Sequence, residues 1–524
     1  MILDEIHSFE VLIAFAMKEK SIVLVILLIL FGLILKLDAQ VPAFVTDSLD
    51  QYVEKGLADW QIPGIAVLVV KDGQVVIAKG YGYLETGKPD KVDENTLFMI
   101  ASNTKAFTGT AMAMLEQEKK CSLDDHVQKY LPDFTMKDPW VAQHLTLTDV
   151  MSHRIGMETF QGDFMYWESD LTSDEVIEKF GKLTPLYDFR AKWGYCNAGF
   201  LIAGECLEKI SGMTWAQFIR ERIVNPLEMS RTLVLTAETK NAVNIATAHT
   251  VVHGQLMVLP HCQVDNIAPA VSISSSVNDL SHWLIAQLDS GRYNGKQVIP
   301  WQAIKRARYP QSIIREARHP FNSTHFSLYG LGWDLQDYEG REIVSHTGGV
   351  DGFVTSVTFL PEENLGIAVL TNTDMNGFYQ ALKWEIIDAY LGLPYRNYSK
   401  FYFDRYRPAL FEQWDLEKSW QDSVAVKMPP SVKLSKFAGT YRNEVYGTVT
   451  INAEKDQLSM TFEHHPDLTA KIEHLSGDRF LCTYSNPLYG IKVFPFVVEG
   501  GKVKSFTLSV ADFLEYTTYE FVKE

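Results

Sequence analysis

Phe98–Met112 reads FMIASNTKAFTGTAM. A strand-like apolar run, FMIA, gives way at Ser102 to a run of Ala, Met and Leu that continues to Lys120. SNTKAFTGTAMAMLEQEKK (Ser102–Lys120) is therefore expected to be a helix, with Ser102 a good cap residue at its start. Lys105 stands three residues after Ser102, and residues three apart on a helix share a face. A serine hydroxyl is a weak nucleophile until something accepts its proton. A lysine half-buried among Ala101, Phe107 and Met112 loses solvation, which lowers its pKa toward base competence. Ser102 at the helix start also has its own N–H free, as half of an oxyanion hole. A capping serine beside a surface lysine gives the same pattern, and roughly one or two such pairs arise by chance in a chain of this length.

Outward from this stretch the pattern alternates between strand and helix. GIAVLVVKDGQVVIAKGYGYL (Gly64–Leu84) is two β-rich runs joined at Lys71-Asp72-Gly73, a strong hairpin signal. Helices are expected at Gly199–Gly212, closed by Gly212, and at Ser276–Gly291, with Ser276 or Asn278 as cap. GFVTSVTFLPEENLGIAVLTN (Gly352–Asn372) is again two β runs around a turn. Strands at both ends with helices between predict an α+β fold, its antiparallel sheet assembled from distant segments. Residues 397–430, rich in aromatics, charge and proline, are read as a surface-packed linker. Short alternating strands then fill 431–524 and predict a small antiparallel barrel.

The chain has 524 residues and a net charge of −17. That balance argues against nucleic acid and against charge-driven binding to anionic membranes. The five cysteines, Cys121, Cys196, Cys206, Cys262 and Cys482, include no CxxC pair and no zinc-like cluster, and read as mostly free, buried thiols. No metal or cofactor is expected. SIVLVILLILFGLIL (Ser21–Leu35), preceded by Lys18 and Lys20 and followed by KLDAQ, has the layout of a secretory signal peptide cleaved near Ala39. Met17 is then the natural start. An uncleaved anchor is the alternative, and either places the body from about Gln40 outside the cytoplasm, secreted or periplasmic.

Two further constellations accompany Ser102 and Lys105. WGYCNAGF carries Tyr195 and Asn197 directly before a helix, and SHTGGVDGF carries His346, Thr347, Gly348 and Gly349 directly before a β run. Each alone is common by chance. Ser-x-x-Lys, then Tyr-x-Asn, then His-Thr-Gly, in this order, resembles the serine β-lactamase and penicillin-binding-protein family. The resemblance is to its class C-like branch of β-lactamases, D-aminopeptidases and esterases. It covers about residues 45–395 and includes PGIAVLVV, LTLTDVMSHRIGM, NPLEMSRT, YGLGW and LPEENLGIAVLTN. It implies an antiparallel sheet flanked by helices with an all-helical subregion, within a hydrolase domain at 40–396. It also implies that Ser102 is acylated, and that Lys105 and Tyr195 share the proton transfers, with Tyr195 the base for deacylation. Asn197 would bind the substrate amide, His346 and Thr347 would line a strand edge, and the N–H groups of Ser102 and Gly349 would form the oxyanion hole. The C-terminal segment, FAGTYRNEVYGTVTI onward, resembles a lipocalin-like barrel appended to some members, a candidate for oligomerisation.

The resemblance implies a secreted serine hydrolase acting through an acyl-enzyme on esters, D-amino-acid peptides, peptidoglycan fragments or β-lactams. The alternative is a penicillin-binding sensor with little turnover. His346 stands where true lactamases carry lysine. A partly charged histidine predicts activity toward carboxylate substrates that falls as His346 deprotonates. Among weaker signals, GYLETGK (Gly82–Lys88) reads as a strand–turn extension, His153-Arg154 as a structural loop, and EHHPD with His464 and His465 as a solvated hairpin tip. Asp374 has no assigned role.

Overall fold

The computed structural model describes residues 41–455 and 457–524. The expected signal segment, Ser21–Leu35, lies outside the described residues. The described chain divides into two units: 41–50 with Ile386–Tyr395, and Gln51–Glu385 with Arg396–Glu524. The first contains the π-helical turn Phe44–Ser48 and the ring pair Phe44–Tyr395, 6.3 Å apart. The sheet, site and barrel described below belong to the second.

The fold is α+β, built on one eight-stranded antiparallel sheet. Its strands are β1 (Gly64–Lys71), β2 (Gln74–Gly82), β3 (Ser312–Glu316), β4 (Phe326–Tyr329), β5 (Asp334–Tyr338), β6 (Arg341–Val350), β7 (Phe353–Leu360) and β8 (Leu365–Thr371). They run in the order β2-β1-β8-β7-β6-β5-β4-β3, so the N-terminal hairpin pairs with the last strand. The β1–β2 turn is the expected one: Asp72 and Gly73 both take positive φ, 52° and 76°, as a tight hairpin requires. β1, β7 and β8 are buried on both faces, apart from Lys71 at the end of β1. This explains why they read as continuous apolar runs without alternation.

Helix α1 (Thr104–Gln117) is buried from Thr104 to Leu115. Phe107 stacks on Trp283 of the helix Val277–Leu288 with ring centroids 4.0 Å apart. Ser276 is that helix's cap, its Oγ accepting from the Asp279 N–H at 3.1 Å. The helix expected at Gly199–Gly212 spans Asn197–Ser211 and ends at Gly212, φ 75°. Ser102 differs from expectation. It lies inside a 3-10 turn, Ala101–Asn103, ahead of α1, and caps nothing. Ala101 sits at φ 49°, a left-handed conformation costly for a residue with a Cβ. That sharp turn precedes the serine directly.

The segment read as a linker is instead a helix, Tyr398–Ala425. Asn397 starts it, its side chain accepting from the Lys400 N–H, and Lys400 pairs with Asp404 at 2.7 Å. Phe403 and Tyr406 project on one face against Trp60, at 5.1 and 5.7 Å. Pro408 lies inside the helix. Proline normally ends helices, which is why the sequence pattern pointed elsewhere; tertiary packing offsets that local cost.

The C-terminal barrel is closed and has eight strands: β9 (Gly439–Asn443), β10 (Gly447–Glu454), β11 (Gln457–Phe462), β12 (His465–Ser476), β13 (Arg479–Tyr484), β14 (Ile491–Glu499), β15 (Lys502–Leu508) and β16 (Tyr519–Lys523). EHHPD is not a solvated tip: His465 is buried, donates from Nε2 to the Phe164 carbonyl at 2.8 Å and stacks on the Phe164 ring at 4.8 Å. This hairpin packs on the short helix Asp163–Tyr166, which precedes the barrel in the chain. All five cysteines are free, Cys121 partly buried and the others fully.

Candidate active site

Ser102, Tyr195, Asn197, His346, Thr347, Gly348 and Gly349 line one cavity of about 570 Å3. Lys105 lies behind Ser102. The fold therefore brings together all eight residues singled out in the sequence, from three separate segments.

The strain at Ala101 and the start of α1 aim Ser102 into the cavity, where it is 8% exposed. Lys105, one helical turn on, is fully buried. Its Nζ reaches Ser102 Oγ at 3.0 Å, Asn197 Oδ1 at 2.7 Å and the Ala270 carbonyl at 2.9 Å. An ammonium has three protons, and here each has one acceptor. Of these partners, the amide oxygen and the carbonyl can only accept. When Lys105 loses a proton, its two remaining N–H bonds go to them, and the lone pair faces Ser102 Oγ. Burial pushes the Lys105 pKa down to about 7, while the charges of Asp163 and Cys196 hold it up.

Tyr195 also hydrogen-bonds Ser102, and burial pushes its hydroxyl well above its usual pKa. At neutral pH it is a phenol. Lys105 Nζ lies 4.7 Å from the Tyr195 ring centroid. His153 packs against that ring, tilted by 33° with centroids 4.3 Å apart, and accepts the Cys196 N–H at Nδ1, 3.0 Å. This is the structural role anticipated for it. Asn197 is the first residue of its helix; its Nδ2 donates to Asp163 Oδ2 at 2.6 Å. That bond fixes which way its amide faces, leaving Oδ1 for Lys105.

β6 forms the other wall. Its pairing with β5 ends at Ser345↔Asp334, so its edge from His346 to Gly349 is open on that side. Gly348 has to be glycine, because a Cβ there would lie 2.1 Å from the Ile100 carbonyl oxygen. The strand thus presses against the turn that carries Ser102.

His346 corrects the sequence reading. It is 2% exposed, and burial, with Lys105 nearby, lowers its pKa to about 3. Nδ1–H donates to the Thr347 carbonyl at 2.6 Å, and Nε2 accepts from the Tyr329 hydroxyl at 2.9 Å. The imidazole is neutral across the physiological range. It cannot be the switch that favours carboxylate substrates at low pH. We predict that NMR of the imidazole nitrogens finds a neutral, Nδ1-protonated ring throughout about pH 5 to 8, with no kinetic limb from it there. Titration inside that window would contradict the buried geometry.

The sequence reading missed several contributors. Asp163, Asp334, Asp374 and Asp512 line the cavity, and no Lys or Arg among the described residues does. Burial raises Asp334 and Asp374 to about 7 each. Phe513, Leu514 and Tyr516 come from the barrel and form one wall. Tyr329 lies in YGLGW, a stretch noted only as flanking. Nothing local in GDFMYW marks Asp163 as part of the site: Tyr166 is a neighbour in the same stretch, but Asn197, which ties it to Lys105, lies in a separate segment.

Known proteins bear on this geometry. A model of the Beta-lactamase family matches residues 49–391, and the chain belongs to that family. A second model, a Domain of unknown function (DUF3471), matches residues 424–522. The chain is 29% identical over 430 residues to the unguisins hydrolase ungD' of Aspergillus campestris, covering 77% of this chain and 78% of that protein. It is 28% identical over 346 residues to Protein flp of Staphylococcus aureus, 62% of each chain. The octameric penicillin-binding protein homologue from Pyrococcus abyssi superposes with a TM-score of 0.56 at 20% identity, over 91% of this chain and 100% of that one. A D-stereospecific amidohydrolase from Streptomyces gives 0.52 at 21%, over 65% and 96%. Both share the fold.

Proposed function

We propose that this protein is a serine hydrolase working through an acyl-enzyme on Ser102. The Ser102–Lys105 contact carries the reading: the hydroxyl lies 3.0 Å from a buried amine whose pKa is lowered to about 7. Hydrolase homologues in the family support it. Neutral Lys105 accepts the Ser102 proton as Oγ bonds to the substrate carbonyl carbon. The resulting oxyanion sits against the N–H groups of Ser102 and Gly349. The proton passes from Lys105, through the Tyr195 hydroxyl, to the leaving alcohol or amine as its bond to the carbonyl breaks. Water then attacks the ester, gives its proton back along the same route, and frees Ser102 and the acid. Asn197 holds Lys105 and offers an amide contact, and no step calls for a cofactor.

The substrates we propose are esters and amides, including D-amino-acid peptides and peptidoglycan fragments, met outside the cytoplasm. Aromatic walls, four aspartates and a lining without lysine or arginine among the described residues suit neutral or amine-bearing substrates. A free carboxylate, as in a penicillin, meets no fixed cation there. A chromogenic panel of a short-chain ester, D-amino-acid anilides and a penicillin-type lactam tests this. The ester or an anilide is expected to exceed the lactam in kcat/KM by at least about tenfold, the equivalent of one missing charge-assisted contact. A lactam preference would overturn the substrate class. A stable adduct with no turnover of any member would favour the sensor alternative.

A further inference from the structure

The barrel is joined to the catalytic groups by more than wall contacts. Glu515 lies between β15 and β16 and is 1% exposed. Its Oε1 accepts from the Gly162 N–H at 2.8 Å and the Tyr446 hydroxyl at 2.9 Å. Its Oε2 accepts from the Phe164 N–H at 3.0 Å, and the Thr517 hydroxyl adds a further donor. Gly162 and Phe164 flank Asp163. Asp163 in turn accepts from Asn197 Nδ2 and from the Tyr166 hydroxyl, and Asn197 Oδ1 accepts from Lys105. Three hydrogen-bonded steps, the first made by two backbone N–H groups, therefore run from a barrel carboxylate to the amine beside Ser102. On the same loop, Tyr516 stacks on Phe160 at 5.7 Å, and Phe160 meets Tyr195 edge-on at 5.5 Å. A Cβ at Gly349 would meet the Phe513 ring at 3.4 Å.

We propose that Glu515 is a positioning residue for the hydrolytic site, and that the C-terminal barrel completes that site through it. Glu515 clamps the backbone on both sides of Asp163. The clamp sets where the Asp163 carboxyl lies, and that carboxyl orients the Asn197 amide so that its oxygen faces Lys105. Without it, a short helix of four residues, Asp163–Tyr166, has little of its own to hold Asp163 in place. The inference rests on the acyl-enzyme reading above and gives the barrel a task within it.

The linkage is electrostatic as well as geometric. Groups facing Asp163 are Tyr166, Asn197, Lys105 and Glu515; those facing Lys105 include Asp163, Cys196, Tyr195, His153 and His346. Burial raises the Asp163 pKa, and the Glu515 charge raises it further. Removing that charge lets Asp163 ionise more readily, and an ionised Asp163 keeps the proton on Lys105 to higher pH.

The test uses the full chain with Glu515→Ala, Glu515→Gln and Asp163→Asn. Readouts are kcat and KM across pH, and the rate at which a fluorophosphonate adds to Ser102. Glu515→Ala should lower kcat by about 10- to 100-fold, with a much smaller change in KM, because Glu515 does not touch substrate. Glu515→Gln keeps the side-chain volume and should move the acid limb of kcat/KM upward by about half a pH unit or more. Asp163→Asn should move it downward by about one unit. Opposite shifts are not produced by a general loss of stability. Unmoved limbs with unchanged kcat, or a lowered melting temperature as the sole effect, would overturn the proposal. If Glu515→Ala does not fold, the Gln and Asn limbs decide. A wild-type protein that the probe does not label at Ser102 would instead overturn the acyl-enzyme reading on which this rests.

Discussion

Ser102→Ala is expected to end turnover, with kcat falling on the order of a million-fold, as when other serine nucleophiles are removed. The reasoning is local and geometric. Lys105 and Tyr195 both address the Ser102 oxygen. Alanine removes the one atom that could carry the acyl group. The oxyanion donors and cavity walls remain, so binding of a slow substrate should persist while chemistry stops. Intact-mass spectrometry after incubation with a fluorophosphonate or a labelled penicillin reads this directly. Wild type gains one adduct and Ser102→Ala gains none. An adduct of the same stoichiometry on the variant would place the nucleophile elsewhere and end the assignment.

The second large effect concerns Lys105. Lys105→Met should lower kcat/KM by about 100- to 10,000-fold, the usual contribution of a positioned general base. It should also erase a pH limb. In wild type the neutral amine is the active form, so activity is present above the Lys105 pKa and is lost as pH falls through it. With that pKa lowered to about 7, kcat/KM should rise to a plateau across about pH 6 to 8. Burial is the main cause of the shift, so a change that admits water should raise the pKa and move the limb upward. The check is kcat/KM for an uncharged ester, whose own ionisation cannot mimic the limb. A flat wild-type profile from about pH 5 to 9 would show that Lys105 is not the proton acceptor.

Much of the fold could be read locally. The Asp72-Gly73 turn, the cap at Ser276 and the stop at Gly212 follow from residue-by-residue conformational preference, and each stands where it was expected. The misread elements share one cause. Helix Tyr398–Ala425 carries an internal proline, and its existence depends on Trp60, more than 300 residues earlier. His465 looked solvated because its partner, Phe164, is as remote. In both cases tertiary packing outweighed a local signal.

The site divides the same way. The order Ser102-x-x-Lys105, Tyr195-x-Asn197, His346-Thr347-Gly348-Gly349 was legible because these residues are strings of specific chemistry. The sequence alone thus determined the family, the helix that follows Ser102, the β runs around it and the candidate catalytic groups. Tertiary structure alone decided what those groups are at neutral pH. It made Lys105 a weak base by burying it and His346 a neutral acceptor by enclosing it. It also set Asp163 and the barrel's Glu515 behind them. The physical reason is that a pKa and a hydrogen-bond acceptor are properties of surroundings. In this chain those surroundings are assembled from segments as much as 353 residues apart.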